Sequence, residues 1–168
     1  MTRQISCCIS ARKDLKTMIF TDEELYFYFI SLKTDFVSFE KYEKWLNKCF
    51  IEDDNKSEIL LNLEFHSGNI EKTIDELYFY LFNKISTLNY SKVGKMIIDE
   101  LKVQYESNHD SLREITPKLY KIWTILPFEI ADEKPFISFN SIDDLWVWIN
   151  DDPVMEIINY LFNYYNDK

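Results

Sequence analysis

Two histidines, three cysteines and a series of acid clusters are the residues of this 168-residue chain whose types could do chemistry. Histidine is the commonest general base at neutral pH, because its unperturbed pKa lies near about 6.5. His109 follows Glu106 at the Glu-x-x-His spacing of di-iron bundles. Such a centre needs that motif twice and two further carboxylates, yet Leu63 stands three residues before His66. No metal site is expected. His66 falls in the last turn before Gly68, where a helix dipole favours a cation, and it reads as a partner of the helix end. Cys49 stands among Trp45, Leu46 and Phe50 and reads as a small buried hydrophobe rather than a nucleophile. With glycine only at positions 68 and 94, the nucleophile-elbow, Walker and dinucleotide loops are all lacking. No catalytic residue and no cofactor is expected, and an enzyme is the least favoured class.

What remains favours binding over bond making. Asp143, Asp144, Asp151 and Asp152 bracket Leu145-Trp146-Val147-Trp148-Ile149. Trp146 and Trp148 among four carboxylates would form an aromatic anchor inside an acidic rim, a combination suited to a protein partner. Glu52, Asp53 and Asp54 form a second acidic stretch that such a partner could contact. The competing reading is structural: the aspartates cap two consecutive helices, the tryptophans fill the core, and 52–54 is a linker.

The elements that must position these residues are announced by one pattern written three times, beginning at Thr21, Thr73 and Ser141. Each copy runs hydroxyl, any residue, acid, acid, Leu, aromatic, apolar, aromatic, apolar. The front half predicts a helix start, since a Ser or Thr oxygen accepts from a free amide three residues on while an acid there reaches back. The back half is apolar on every side and predicts burial within a larger helical assembly. Further helices are predicted over about 22–32, from Phe39 to Phe50, over 59–65 ending at Gly68, from an Asn69 cap to about 85, and over 91–106. Thr116-Pro117 predicts a cap followed by Pro at the first helical position, with Pro127 stopping that helix. Pro135 to Phe139 predicts a short strand near 136–139, and Asp152-Pro153 predicts the start of the last helix. Phe39 to Leu46 also lines up with Tyr90 to Ile97, which suggests two duplicated helical hairpins of about fifty residues. The expectation is an all-α bundle of about seven helices.

The length suits one domain that buries roughly two thirds of its unfolded surface. Residues 1–17 carry +3 and form a basic N-terminal extension, while residues 18–168 form a single acidic helical domain. The net charge of -10, with 46% hydrophobic and 17% aromatic residues, is too apolar for a disordered acidic tail. It also disfavours nucleic acid as a partner, since such binding draws on Lys and Arg. Cys7 and Cys8 are adjacent and the cysteine count is odd, which argues against a disulfide framework and for a reducing, cytoplasmic setting. No apolar run reaches the ~18 residues of a membrane span.

In size, charge, helical content and lack of catalytic residues, residues 19–168 resemble the small acidic helical immunity proteins that protect bacteria from protein toxins. The resemblance rests on composition and includes no diagnostic motif. It implies an inhibitor that covers a surface of a toxin, often a basic nuclease, with acids speeding encounter by electrostatic steering. A helical scaffold or homo-oligomeric adaptor and an acidic nucleic-acid mimic are the alternative classes.

Overall fold

The computed structural model describes residues 19–54, 56–107, 112–148 and 151–166, with the side chains of 143–148 and 151 excepted. The readings made of residues 1–17, Cys7, Cys8 and His109 lie outside these residues. The chain is all-α among the described residues, with nine α-helices and one 3-10 turn. No described helix is long and apolar enough to cross a membrane.

Helix α1 (Asp22–Lys33) starts as its sequence demands. The Glu24 amide donates to Thr21 Oγ1 at 3.2 Å, and the Glu24 carboxylate accepts from the Thr21 amide at 2.7 Å, a complete capping box. Residues Leu25 to Leu32 are buried without a break, so α1 is the central helix of its half of the molecule. Helix α2 (Phe39–Glu52) is capped by Ser38 and packs on α3 (Glu58–Phe65). Gly68, at φ +83°, takes the left-handed conformation between α3 and α4 (Ile70–Leu81), where a Cβ would be strained. Asn69 caps α4 by accepting from the Lys72 amide at 3.1 Å. A 3-10 turn over Ile85–Thr87 leads to α5 (Tyr90–Ser107). The principal partners of α1 are α4 and α5, so the two expected hairpins are not packed as separate units.

Helices α6 (Leu112–Ile125), α7 (Phe128–Ala131), α8 (Ile137–Trp148) and α9 (Asp151–Asn163) form the second half. There α8 lies along α6 and α9 packs on α8, and the halves meet where α5 touches α9 and α1 touches α6. One continuous core runs through both, from Phe20 to Leu161.

Three expectations are corrected. Pro117 lies inside α6 rather than at its first position, because the helix already begins at Leu112 and Thr116 is buried in it. The expected strand near 136–139 is the entry to α8: the Ile137 amide donates to Glu133 O at 2.9 Å and Ser138 to Pro135 O at 3.0 Å. Phe136, Phe139 and Ile142 are all buried, a three-residue spacing that serves a helix and not a strand. Only the first motif copy starts a helix. Thr73 is fully buried within α4, and Ser141 sits inside α8, donating to Ser138 O at 3.3 Å.

Candidate protein-binding surface

The second motif copy also departs from its expected burial. In α4, Leu77 and Leu81 are buried against the core, whereas Tyr78 and Phe79 are 41% and 73% exposed, and the C-cap residue Phe82 is 59% exposed. The reason is packing. Helix α1 packs against α4, α5 and α6, whereas the principal neighbours of α4 among the described residues are α1 and α3. The same apolar run therefore becomes core in one helix and surface in the other. Tyr78 meets Phe79 at 6.0 Å and Phe82 edge-on at 5.7 Å between ring centroids, and Phe29 at 6.0 Å ties this ridge to the core.

Beside the ridge lies an open groove of about 610 Å³. Tyr78 of α4 and its C-cap residue Phe82, Ile85 and Leu88 at the following turn, and Pro127 and Ile130 at α7 form its walls. Glu129 stands on its rim and is exposed. The Tyr90 hydroxyl donates to Ile85 O at 2.9 Å, and its ring meets Tyr26 edge-on at 5.7 Å, which fixes the turn on the core. Because the walls come from both halves of the molecule, the groove marks their junction. On the other flank, Phe79 borders a cavity of about 310 Å³ that also contains Glu58, Ile59 and Glu76.

Charge around the ridge is negative. Glu71 and Asp75 are exposed on α4, two turns and one turn before Phe79 respectively, with Lys72 the base on that helix. Lys84, next to the groove, is already engaged: its Nζ lies 2.9 Å from Asp22 Oδ1 and 3.6 Å from the Tyr80 ring centre. Burial alone would lower the Lys84 pKa, but its bonds to Tyr80 and Asp22 outweigh that and hold it above the ordinary value. The Asn89 amide donates to Glu23 at 3.1 Å, so the start of α1 is fastened to the turn that floors the groove.

The residues singled out in the sequence are distributed otherwise. Glu52 ends α2 and is exposed, as is Asp54. Asp53 is the C-cap residue: its amide donates to Cys49 O at 3.0 Å and its carbonyl accepts from Lys56 at 2.7 Å. Asp143, Asp144, Trp146 and Trp148 lie in the second half of α8, and Asp151 and Asp152 open α9. Asp152 is exposed. Asp151 and Asp152 sit where a helix dipole favours acids, whereas Asp143 and Asp144 are mid-helix and are not helix-start residues.

His66 is the C-cap residue of α3, with Nε2 3.5 Å from Glu76 Oε1. Cys49 is buried as its neighbours imply, and burial pushes its thiol up to about 11. At neutral pH it is therefore a thiol and a poor nucleophile. Among the described residues no three His, Cys, Asp or Glu side chains cluster to hold a metal ion.

Sequence reasoning missed Tyr78, Phe79 and Phe82 as surface. A signal was present: Glu71, Asp75, Tyr78, Phe79 and Phe82 follow the four-, three-, one- and three-residue steps of one helical stripe, and its first two members are acids. No family model, no curated protein and no solved structure matches the chain.

Proposed function

We propose that this chain is a non-enzymatic protein-binding protein, an inhibitor of immunity type that neutralises a basic bacterial toxin by covering part of its surface. One observation carries the reading: an acidic body presents a contiguous ridge of exposed aromatic side chains, Tyr78, Phe79 and Phe82, beside an apolar groove. Monomeric soluble proteins seldom leave such a patch uncovered unless it meets another molecule. Aromatic residues dominate interface energetics, and excess charge of one sign raises the encounter rate with a partner of the other. Segment 143–152 and residues 52–54 are further proposed contacts, of which Asp53 is buried. Asp143 and Asp144, lying mid-helix, are not accounted for as caps.

The test is capture of partners from source-cell lysate at low and high salt, followed by co-expression of the captured protein's gene with this chain. The chain with Asp143, Asp144, Asp151 and Asp152 all changed to Asn serves as comparison. A single basic partner, weakened by salt and by the substitutions, whose toxicity the native chain relieves, is the expected result. Capture of a non-toxic partner indifferent to salt sinks the inhibitor reading. The same ridge would serve a scaffold that binds a second copy of itself, and a mass that rises with concentration would favour that reading instead.

A further inference from the structure

We infer that the groove between α4 and α7 is the seat of one kind of occupant: an amphipathic, helix-forming segment of a partner protein whose apolar residues are flanked by lysine or arginine. The inference rests on the protein-binding reading above and specifies the chemistry of its partner. The groove walls are mainly aromatic and aliphatic, with Ser86 and Glu129 the polar members, which calls for apolar side chains against Tyr78, Phe82, Leu88 and Ile130. Its volume of about 610 Å³ falls within the range of ligand-sized clefts, enough for several large side chains but not a whole domain.

Charge decides between partners of the same apolar character. Glu129 stands on the rim, Glu71 and Asp75 continue the α4 stripe beyond the ridge, and Glu58 and Glu76 line the second cavity beside Phe79. Against them stand Lys72 and Lys33, whose Nζ lies 5.6 Å from the Phe29 ring centre, while Lys84 is held by Asp22 and Tyr80. An acidic segment would meet like charge at Glu129 in the groove and at the acids around the ridge, and a basic one would find partners there. The described residues form no sheet, hence no strand edge on which an extended segment could add. A helix laid beside α4 keeps its own backbone satisfied and presents residues at the three- and four-residue steps that match the ridge.

The probe is a labelled Leu/Lys peptide of helical period, compared with its Leu/Glu counterpart and with a Ser/Lys peptide that keeps charge but no apolar face. Each is titrated into the full chain and into the Tyr78→Ser, Phe79→Ser, Phe82→Ser triple variant. The native chain is expected to bind the Leu/Lys peptide at least about tenfold more tightly than either control, with affinity falling as salt rises. The triple variant should lose about tenfold or more with its circular dichroism unchanged. Should that variant fail to fold, Phe82→Ser alone, at a side chain 59% exposed, must still weaken binding.

Equal affinity for the Leu/Glu peptide, or unaltered binding by the variants, overturns the inference. So does a concentration-dependent mass that the triple variant abolishes, which would assign the groove to a second copy. Displacement of the probe by a synthetic peptide of residues 1–17 at equal concentration would assign it to this chain's own basic segment. The two proposals fail separately. A toxin captured equally well by the triple variant leaves the inhibitor reading standing and removes the groove, whereas specific Leu/Lys binding without relief of any toxicity does the reverse.

Discussion

Replacing Gly94 by Ala sets two effects of opposite sign against each other in the middle of α5. Helix propensity alone makes the change stabilising, by about 1 kcal/mol, because Ala loses less backbone entropy than Gly. The structure opposes it. A Cβ built at Gly94 falls inside contact distance of Tyr165 Oη and lies 3.0 Å and 3.4 Å from two ring atoms of Phe136. Tyr165 follows α9 and is half-buried, but its hydroxyl oxygen lies in the buried part, so displacing it costs free energy. Nor can Phe136 move easily, since it is 3% exposed and packs edge-on against Phe139 at 5.8 Å. Overfilling such a site costs about 1–3 kcal/mol. With the propensity gain subtracted and the displaced Tyr165 ring added, Gly94→Ala is expected to destabilise the protein by about 1–2 kcal/mol.

For a chain of this length that corresponds to a fall in Tm of roughly 2–8 °C. Urea unfolding followed by tryptophan fluorescence and by far-ultraviolet circular dichroism would measure it, with coincident transitions required before a free energy is assigned. A companion variant sharpens the test. Tyr165→Phe removes the nearest obstructing atom, so the double variant should lose less than the sum of the single losses, by about 0.5 kcal/mol or more. Stabilisation of Gly94→Ala by the full propensity gain would refute the reasoning, because it would mean that α5 does not approach Phe136 and Tyr165 closely. That approach, with α1 against α6, is where the halves bounding the groove meet.

Two further outcomes follow from particular side chains. Cys49, whose thiol burial pushes up to about 11, should react with an aromatic disulfide reagent at pH 8 only after unfolding. Since this acid group has a raised folded-state pKa, its contribution to stability is intact below about pH 8.5 and is lost as pH rises toward 11, which Cys49→Ala should remove from the alkaline unfolding curve. Pro117, the sixth residue of α6, gives that helix no amide donor and crowds the carbonyl of the residue four before it. Pro117→Ala should raise stability by about 1–2 kcal/mol in the same urea assay, and a loss instead would show that the ring's packing outweighs the backbone defect.

Local signals on the chain were legible where the backbone alone decides the outcome. Thr21, Ser38 and Asn69 cap helices because each carries an oxygen that a nearby amide can reach, and Gly68 turns the chain because it lacks a Cβ. The failures arise where tertiary packing overrides the local pattern. Ser141 and Thr73 offer the same hydroxyl-and-acid pattern as Thr21, yet each is preceded by apolar residues that extend the helix past it: Phe136 and Phe139 before Ser141, Ile70 before Thr73. Pro135 to Phe139 read as extended because proline and alternating apolar residues fit a strand, but burial follows Phe136, Phe139 and Ile142. Of the candidate site, the acidic character was legible from composition and the aromatic ridge was not, since a residue's exposure depends on which neighbours its helix meets.

The contrast between α1 and α4 carries the functional consequence. Leu25 to Phe29 and Leu77 to Leu81 repeat one another as Leu, Tyr, Phe, Tyr and an apolar residue, so their intrinsic hydrophobicity is nearly equal. In α1, Phe27 and Phe29 are each 7% exposed; in α4, Phe79 is 73% exposed. Leaving a phenylalanine in water forgoes about 1.5–3 kcal/mol of burial, and Phe82 nearby forgoes a further part of that. Folding does not recover this free energy, but association can, and burial of the ridge with its groove would draw on it without any change in the core. The surrounding acids then act earlier in the same event. Their long-range attraction brings a basic partner to the surface and fades with salt, whereas the short-range apolar contact holds it there. Salt should therefore slow association strongly and dissociation weakly, a division that stopped-flow kinetics with the Leu/Lys peptide can resolve.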